Sequence, residues 1–238
     1  MNPEMNQTRQ PEWNRRMKKM FSGISRRYDL LNTLMTFGRD KLWRQSVIGM
    51  AGLLPGGFLL DAGCGTGKIA REALLKEPLL KVVAADLTPE MMKVGREHTV
   101  NRNIRWCCAD ALELPFCDNT FDAVTSGYLI RNVADISKSF SEQLRVVKPG
   151  GKVVCLDTAP PPDTFMKPFV LFHLKVVIPV IGGLLSGKWD AYQYLPESTR
   201  AFKTPEEISK IMEAVGFSDI EYRRYMFGTI VIIKGTRP

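Results

Sequence analysis

No two cysteines in this chain are spaced as C-x-x-C. The five present, Cys64, Cys107, Cys108, Cys117 and Cys155, are odd in number. That argues against a zinc site or a disulfide framework and for the reduced thiols of a cytoplasmic protein. The N-terminus lacks a charged-then-apolar leader with a small-residue cleavage site, so no signal peptide is expected. No uncharged apolar run reaches the roughly 20 residues that a spanning helix needs. The least polar stretch, residues 164–188, is interrupted by Lys167, His173, Lys175 and two prolines. Internal repeats and low-complexity tracts are also missing. So is the phosphate loop G-x-x-x-x-G-K-[ST]. A dinucleotide loop, G-x-G-x-x-G, fails because its third glycine falls on Lys68.

What is present is ordinary for a globular chain: 238 residues, 45% hydrophobic and 24% charged. This is enough for one large α/β domain or two small ones. The net charge of +8 is uneven, with Arg and Lys crowded into residues 9–44. A basic surplus fits nucleic acid, an anionic membrane surface or an anionic ligand. No nucleic-acid recognition motif accompanies it. The aromatics there (Trp13, Phe21, Tyr28, Phe37, Trp43) are irregularly spaced and read as packing onto the main domain.

Residues 1–12 are polar, with two prolines, and are expected to fray. Helices are predicted over 13–26 and 39–53, joined by YDLLNTLMTFG. FLLDAG, KVVAADLT, NIRWCCAD, FDAVTSGYLI and KVVCLDT read as five strands. Helices separate them at about 67–77, from Pro89 with Thr88 as N-cap, and at 135–147. TPEEISKIMEAVGF is a helix with Thr204 and Glu207 as a capping box and Gly216 as C-cap. SDIEYRRYMF and TIVIIKGTRP close the chain as two strands. Apolar strands alternating with helices imply a parallel sheet covered on both faces.

The chemistry starts at D-A-G-C-G-T-G, residues 61–67, on a strand-to-helix turn. Gly63, Gly65 and Gly67 let backbone approach a ligand closely. Asp61 favours a cationic or amine-bearing ligand over a pyrophosphate. Asp86 ends the second strand, where an acid can accept both hydroxyls of a ribose. Asp110 ends the third, before Ala111, and can accept from an adenine amino group. Three carboxylates at three strand ends describe a ligand with a ribose, an adenine and a positive charge. S-adenosylmethionine fits.

With these residues the chain resembles class I S-adenosylmethionine-dependent methyltransferases. More narrowly it resembles the UbiE/MenG/COQ5 family of quinone C-methyltransferases. YDLLNTLMTFGRDKLWR (28–44) and RNVADISKSFSEQLRVVKPGGKVVCLD (131–157) carry that match, which extends to GKWDAYQYLPESTRAF. Thr36 and Asp40 stand where the first signature often has Ser and His. The resemblance implies a Rossmann-like, doubly wound α/β fold. Its seven-stranded, mostly parallel sheet would have an antiparallel C-terminal strand and helices on both faces. Residues 1–53 would cap the active site, and 54–238 would form the methyltransferase domain with a substrate-side insertion at 160–203. The implied cofactor is S-adenosyl-L-methionine, held by Asp61, Gly63, Gly65, Thr66, Gly67, Asp86, Leu87, Asp110, Ala111 and Gly127. The implied substrate is a polyprenylated quinol, with demethylmenaquinol to menaquinol as the leading case. A phospholipid or other small-molecule methyltransferase, and a non-catalytic scaffold of quinone biosynthesis, are the alternatives. The N-P-P-Y-like loop frequent in nucleobase methyltransferases is missing after the fourth strand, so no nucleic acid is expected.

Arg131 and Asn132 follow the fourth strand, where open α/β sheets bind ligands. Arg131 is the candidate to stabilise a phenolate, and Asn132 to orient the ring oxygen or a water. Tyr28, with Asp29, would close over the site. Residues 164–188 are expected to pack over the sheet or to form a groove for the polyprenyl tail with peripheral membrane contact, and they are compatible with a homodimer. Of the two histidines, His98 is expected to face solvent and His173 to pack in the core.

Overall fold

In a computed structural model the described residues are 3–99, 103–180, 198–199 and 201–238, with backbone alone for 3–9. The helices are α1 (Pro3–Met35), α2 (Asp40–Ala51), α3 (Lys68–Lys76), α4 (Pro89–Glu97), α5 (Ile136–Val146), α6 (Lys167–Phe172) and α7 (Pro205–Val215). The strands are β1 (Phe58–Ala62), β2 (Lys81–Asp86), β3 (Ile104–Cys108), β4 (Phe121–Gly127), β5 (Val147–Thr158), β6 (Ser218–Tyr225) and β7 (Ile230–Thr236).

Apolar side chains on both faces of the same strands decide the layering. In β1, Leu59 and Leu60 point to opposite faces and both are fully buried. A strand buried on both sides needs helices above and below. On one face, Trp43, Val47, Ile69 and Ala73 of α2 and α3 meet Leu59, Val82, Val154 and Ile232. On the other, Phe140, Val146, Ile208 and Met212 of α5 and α7 meet Leu60, Val124, Val153 and Ile233. The sheet order is β3-β2-β1-β4-β5-β7-β6. The first five strands are parallel, and β7 runs antiparallel to its neighbours β5 and β6. The strand order reverses between β1 and β4, which opens a crevice at their carboxyl ends.

Three elements differ from the sequence expectation. α1 is one continuous helix from Pro3 to Met35, neither frayed at its start nor broken at YDLLNTLM. Pro11 inside it lacks an N–H, a defect worth about 3 kcal/mol in a helix interior. Contacts remote in sequence offset this. Gln10 and Asn14 donate to Asp110 at 3.3 and 2.6 Å, and Trp13 Nε1 donates to the Asn132 carbonyl at 2.8 Å. Leu31 and Met35 bury against Leu174 and Ile178. Strand β4 stops at Gly127 instead of Ile130, because Tyr128 takes a left-handed φ of 57° and a 3₁₀ turn, Ile130–Asn132, follows. Thr88 precedes α4 without a side-chain cap bond, and its N–H goes to Asp86 Oδ1 at 2.7 Å.

The capping box of α7 and its left-handed Gly216 cap are present. α6 runs into a π-helical turn, His173–Val177. The second half of the apolar stretch and most of GKWDAYQYLPESTRAF lie outside the described residues.

Glycine 95 shows how tightly α4 sits on the glycine loop. A Cβ there would stand 2.4 Å from the Trp106 ring and 2.6 Å from the Thr66 carbonyl oxygen. Alanine favours a helix by about 1 kcal/mol. Overpacking against atoms that cannot rotate away costs about 1–3 kcal/mol, so the clash wins. Gly95→Ala is expected to lower stability by about 1–2 kcal/mol in urea unfolding. A midpoint at or above wild type would contradict this packing.

Candidate active site

The β1–α3 turn needs three left-handed glycines: Gly63, Gly65 and Gly67, at φ 63°, 54° and 74°. Two of them, with Gly127, also line the cavities at the sheet's carboxyl edge, where a side chain would collide with its neighbours. A Cβ at Gly63 would lie 2.7 Å from Leu129, one at Gly65 3.3 Å from Met91, and one at Gly127 2.9 Å from Ile69. Gly67 has a different task. Its Cβ would strike the Trp106 ring at 2.5 Å, so it serves the turn and the packing behind it.

The three expected carboxylates differ in their surroundings. Asp86 Oδ2 accepts from the Gly65 N–H at 2.8 Å and Oδ1 from the Thr88 N–H. An ionised carboxylate has about four acceptor sites, so capacity remains for two hydroxyls. Burial pushes its pKa up, against the pull of those two N–H donors. Asp110 Oδ1 accepts from Leu112 N–H at 2.9 Å, while Oδ2 already receives Asn14 and Gln10 of α1. Asp61 is fully buried, bound by the Ala70 N–H at 3.1 Å and Thr125 Oγ1 at 3.3 Å. Burial outweighs those bonds and raises its pKa to about 7. Thr66 donates its hydroxyl to Asp29 Oδ1 at 2.7 Å, which ties α1 to the glycine loop. Lys68 joins the same tie through the Asp29 carbonyl at 3.2 Å and Asp40 at 3.5 Å.

Three adjoining cavities open at the sheet's carboxyl edge. The first, about 90 Å³, is lined by Gly63, Gly65, Asp86, Leu87, Asp110, Ala111, Gly127 and Asn132, and roofed by Asn14, Met17, Phe21 and Tyr28 of α1. The second, about 60 Å³, reaches Asp61, Thr66 and Asp29. The third, about 240 Å³, is apolar, walled by Met35, Phe37, Met166, Phe169, Leu174 and Ile178, with Arg131 and His173 among its few polar groups. His173 is thus in a cavity wall beside the Phe37 ring at 5.7 Å, not in the core. His98 is exposed, as expected.

Tyr128 lines all three cavities, and sequence reasoning passed over it. A bulky residue with positive φ is strained, and such strain concentrates at functional sites. Its N–H donates to Leu156 at 2.7 Å, and its carbonyl accepts from Asn132 Nδ2 at 2.6 Å. The Arg131 guanidinium lies 5.1 Å from its ring centre. Arg131, the candidate to stabilise a phenolate, is ion-paired. Its Nη1 donates to Asp157 Oδ1 at 2.6 Å, and both side chains are nearly buried, at 6% and 8% exposure. The strand-end rule that selects Asp61, Asp86 and Asp110 would have selected Asp157 too, at the end of CLDT. Tyr28 is half-buried beside Arg131, and burial raises its phenol pKa. It therefore stays protonated near neutral pH.

The glycine loop borders a crevice of about 90 Å³ with Asp86 in its wall, and Asp86 has spare acceptor capacity. This donor set fits a ribosyl, adenine-bearing cofactor. The fold and site are those of a class I S-adenosylmethionine-dependent methyltransferase. Residues 9–237 match the ubiE/COQ5 methyltransferase family. A "Ubiquinone/menaquinone biosynthesis C-methyltransferase UbiE" from Desulfotalea psychrophila is 41% identical over 221 residues, covering 93% of this chain and 90% of its own. A "Demethylmenaquinone methyltransferase" from Thermus thermophilus is 42% identical over 221 residues, covering 92% of this chain and 100% of its own. In fold, the chain resembles a Haemonchus contortus phosphoethanolamine N-methyltransferase 2 solved with S-adenosylhomocysteine, at a TM-score of 0.64 and 21% identity. That match covers 82% of this chain and about half, 52%, of the other. The chain belongs to the ubiE/COQ5 methyltransferase family; it is a methyltransferase, with S-adenosyl-L-methionine as its methyl donor.

Asp61 leaves a signature in pH. A carboxyl raised from 3.8 to about 7 binds its proton more tightly folded than unfolded. Its contribution to stability is therefore full below pH ~4, declines as pH rises to about 7, and is flat beyond. Asp61→Asn removes that decline. The variant's urea midpoint relative to wild type is expected to rise between pH 4.5 and 7.5, and a constant offset would contradict the raised pKa.

Proposed function

We propose that this protein C-methylates the ring of a polyprenylated quinol in menaquinone or ubiquinone biosynthesis, with demethylmenaquinol as the leading substrate. One observation carries the reading: an apolar cavity large enough for a fused ring meets the glycine-loop cavity at Tyr128. Residues 1–53 act as the cap of this site, 54–238 as the catalytic domain, and 160–203 as its substrate-side insertion.

S-adenosylmethionine supplies a methyl group on a sulfonium for displacement by a ring carbon. Asp86 takes the ribose hydroxyls, and Gly63, Gly65, Leu87, Ala111 and Gly127 form the walls. Asp110, with its Oδ2 already steadied by Asn14, borders the adenine. Asp61 and Thr66 act one layer behind, holding α3 and α1 in place. The ring carbon gains nucleophilicity as a neighbouring phenol loses its proton to a water. The C–CH3 bond forms as the S–CH3 bond breaks, with the thioether S-adenosylhomocysteine as leaving group. The ring carbon then gives up its own proton to regain aromaticity. Arg131 donates to the phenol oxygen and stabilises the charge. Tyr28, kept neutral by burial, is a second donor. Asn132 supports both by fixing the Tyr128 turn through its amide, so its role is orientation.

The test is a methyl-transfer assay with labelled donor and short-tailed demethylmenaquinol or demethoxy-benzoquinol analogues. Label in one ring product is expected, and label in neither would reject the reading. Arg131→Ala is expected to lower kcat by about 10²–10³ with donor affinity nearly unchanged. Asp86→Ala is expected to weaken donor binding by about 10- to 100-fold in calorimetry, the range for hydrogen bonds to a charged group. Near-normal values in either variant would remove that residue from its role.

The cavity mouth bears on the membrane expectation. Phe37 and Phe169 in its wall are exposed, and so are Phe165 and Phe172, which flank the lining residues Met166, Phe169 and Val170 in the chain, Phe165 at 86%. Among the described residues no helix is long and apolar enough to cross a membrane. We read the patch as a reversible contact with a lipid surface, where the prenyl tail would enter. Phe165→Ser with Phe172→Ser is expected to cut co-sedimentation with anionic vesicles by tenfold or more, since each buried Phe contributes about 1.5–3 kcal/mol. A homodimer through the same stretch is the competing use. Sedimentation as a dimer, with no vesicle binding, would favour it.

A further inference from the structure

The reading above leaves one buried charge without a task. Asp157, 6% exposed, ends β5. Its Oδ1 accepts from Arg131 Nη1 at 2.6 Å and from the Thr158 N–H at 2.8 Å; its Oδ2 accepts from the Arg131 backbone N–H at 3.1 Å. One carboxylate thus grips the arginine twice, at the guanidinium and at the main chain. Its own footing is firm. β5 pairs with β4 on one side and β7 on the other, with Asp157 opposite Val231.

Stability does not account for this pair. Apolar side chains of similar volume generally do as well as a buried ion pair, and the neighbours Ile130, Phe140, Cys155 and Val231 are apolar. What the pair does supply is direction. With Nη1 held by Asp157 and the Tyr128 ring beside the guanidinium, the planar fork has one orientation. Its Nε is buried without a hydrogen-bond partner among the described residues, so the part of the guanidinium that can meet a substrate is the edge lining the apolar cavity. The carboxylate also balances the arginine's charge, so the cavity wall suits a neutral quinol before any proton leaves.

We propose that Asp157 is a positioning residue for methyl transfer: it fixes the Arg131 guanidinium in the wall of the apolar cavity, beside the Tyr128 that this cavity shares with the glycine-loop cavity, and so aims the guanidinium's cavity-facing edge at the substrate oxygen. This rests on the quinol reading of the site and on the role given there to Arg131. Asp157 touches no reacting atom and acts only through Arg131.

The experiment uses the full chain with the short-tailed quinol that it methylates. Asp157→Asn is expected to lower kcat on the order of 100-fold, the scale of a misplacement of about 1 Å. KM for the quinol and calorimetric donor affinity should stay within about threefold of wild type, because the misdirected group acts on developing charge and not on ground-state binding. Asp157→Glu, which keeps the charge, should fall only about tenfold on the same scale. In an Arg131→Ala background, Asp157→Asn should change kcat by less than about twofold, since the group it directs is gone. Wild-type turnover in Asp157→Asn would overturn the proposal. So would a further 100-fold loss on top of Arg131→Ala, or a loss of donor affinity equal to the loss of kcat. If Asp157→Asn fails to bind donor at all, Asp157→Glu decides: reduced kcat with donor affinity kept supports the proposal, and unchanged kcat overturns it. A wild-type protein that methylates neither quinol class overturns the underlying reading itself, and so is distinguishable from a failure of Asp157 alone.

Discussion

The left-handed turn at Tyr128 is the constraint on which the rest of the site depends. It ends β4 three residues before the apolar pattern does, and so turns the chain across the crevice instead of away from it. A non-glycine residue in that conformation costs about 1–2 kcal/mol. The surroundings hold it there: the Leu156 carbonyl accepts its N–H, Asn132 Nδ2 donates to its carbonyl, and the next turn is tied to Asp157. Because the turn is fixed, Tyr128 lines all three cavities and the Arg131 guanidinium has a fixed neighbour.

α1 is the second structural commitment. It runs over the carboxyl ends of the strands and is fastened at separate points: Asn14 to Asp110, Trp13 to the Asn132 carbonyl, and Asp29 to Thr66. Those fastenings use polar groups that the glycine-loop domain would otherwise present to solvent. The acids of the N-terminal segment pair with bases of the glycine-loop helix. Lys68, Arg71 and Arg44 meet Asp29 and Asp40 in one network, and desolvation of Asp40 is outweighed by Arg44 and Lys68, which hold its carboxyl below the usual range. These pairs hold α1 and α2 against α3. The apolar cavity is closed on the same principle, by Met35 and Phe37 from the end of α1 against Phe169 and Leu174.

Much of this was legible from the chain. The parallel core strands, the glycine loop, the three acidic strand ends and the α7 capping box are local patterns, written within a few residues of one another. The acidic residues illustrate the limit. All end or follow strands as expected, yet Asp86 borders the first cavity, Asp61 is fully buried behind the loop, and Asp110 is shared with α1. Spacing along the chain gives the strand end but not what packs over it. Asp157 obeys the same spacing rule, but its partner, Arg131, lies 26 residues earlier and meets it only in the folded chain.

The sequence by itself determined the period of apolar residues, hence a sheet buried on both faces, and the backbone freedom of the loop at residues 61–67. These depend on steric and hydrophobic preferences of a residue and its near neighbours. Only the tertiary structure decided that α1 is a single helix through Pro11, that β4 stops at Gly127, and that Arg131 is bound to a carboxylate. Each of those outcomes sets a local cost, a missing N–H, a positive φ or a desolvated charge, against contacts from residues far along the chain. Such a balance can be read only once the distant partners are in place.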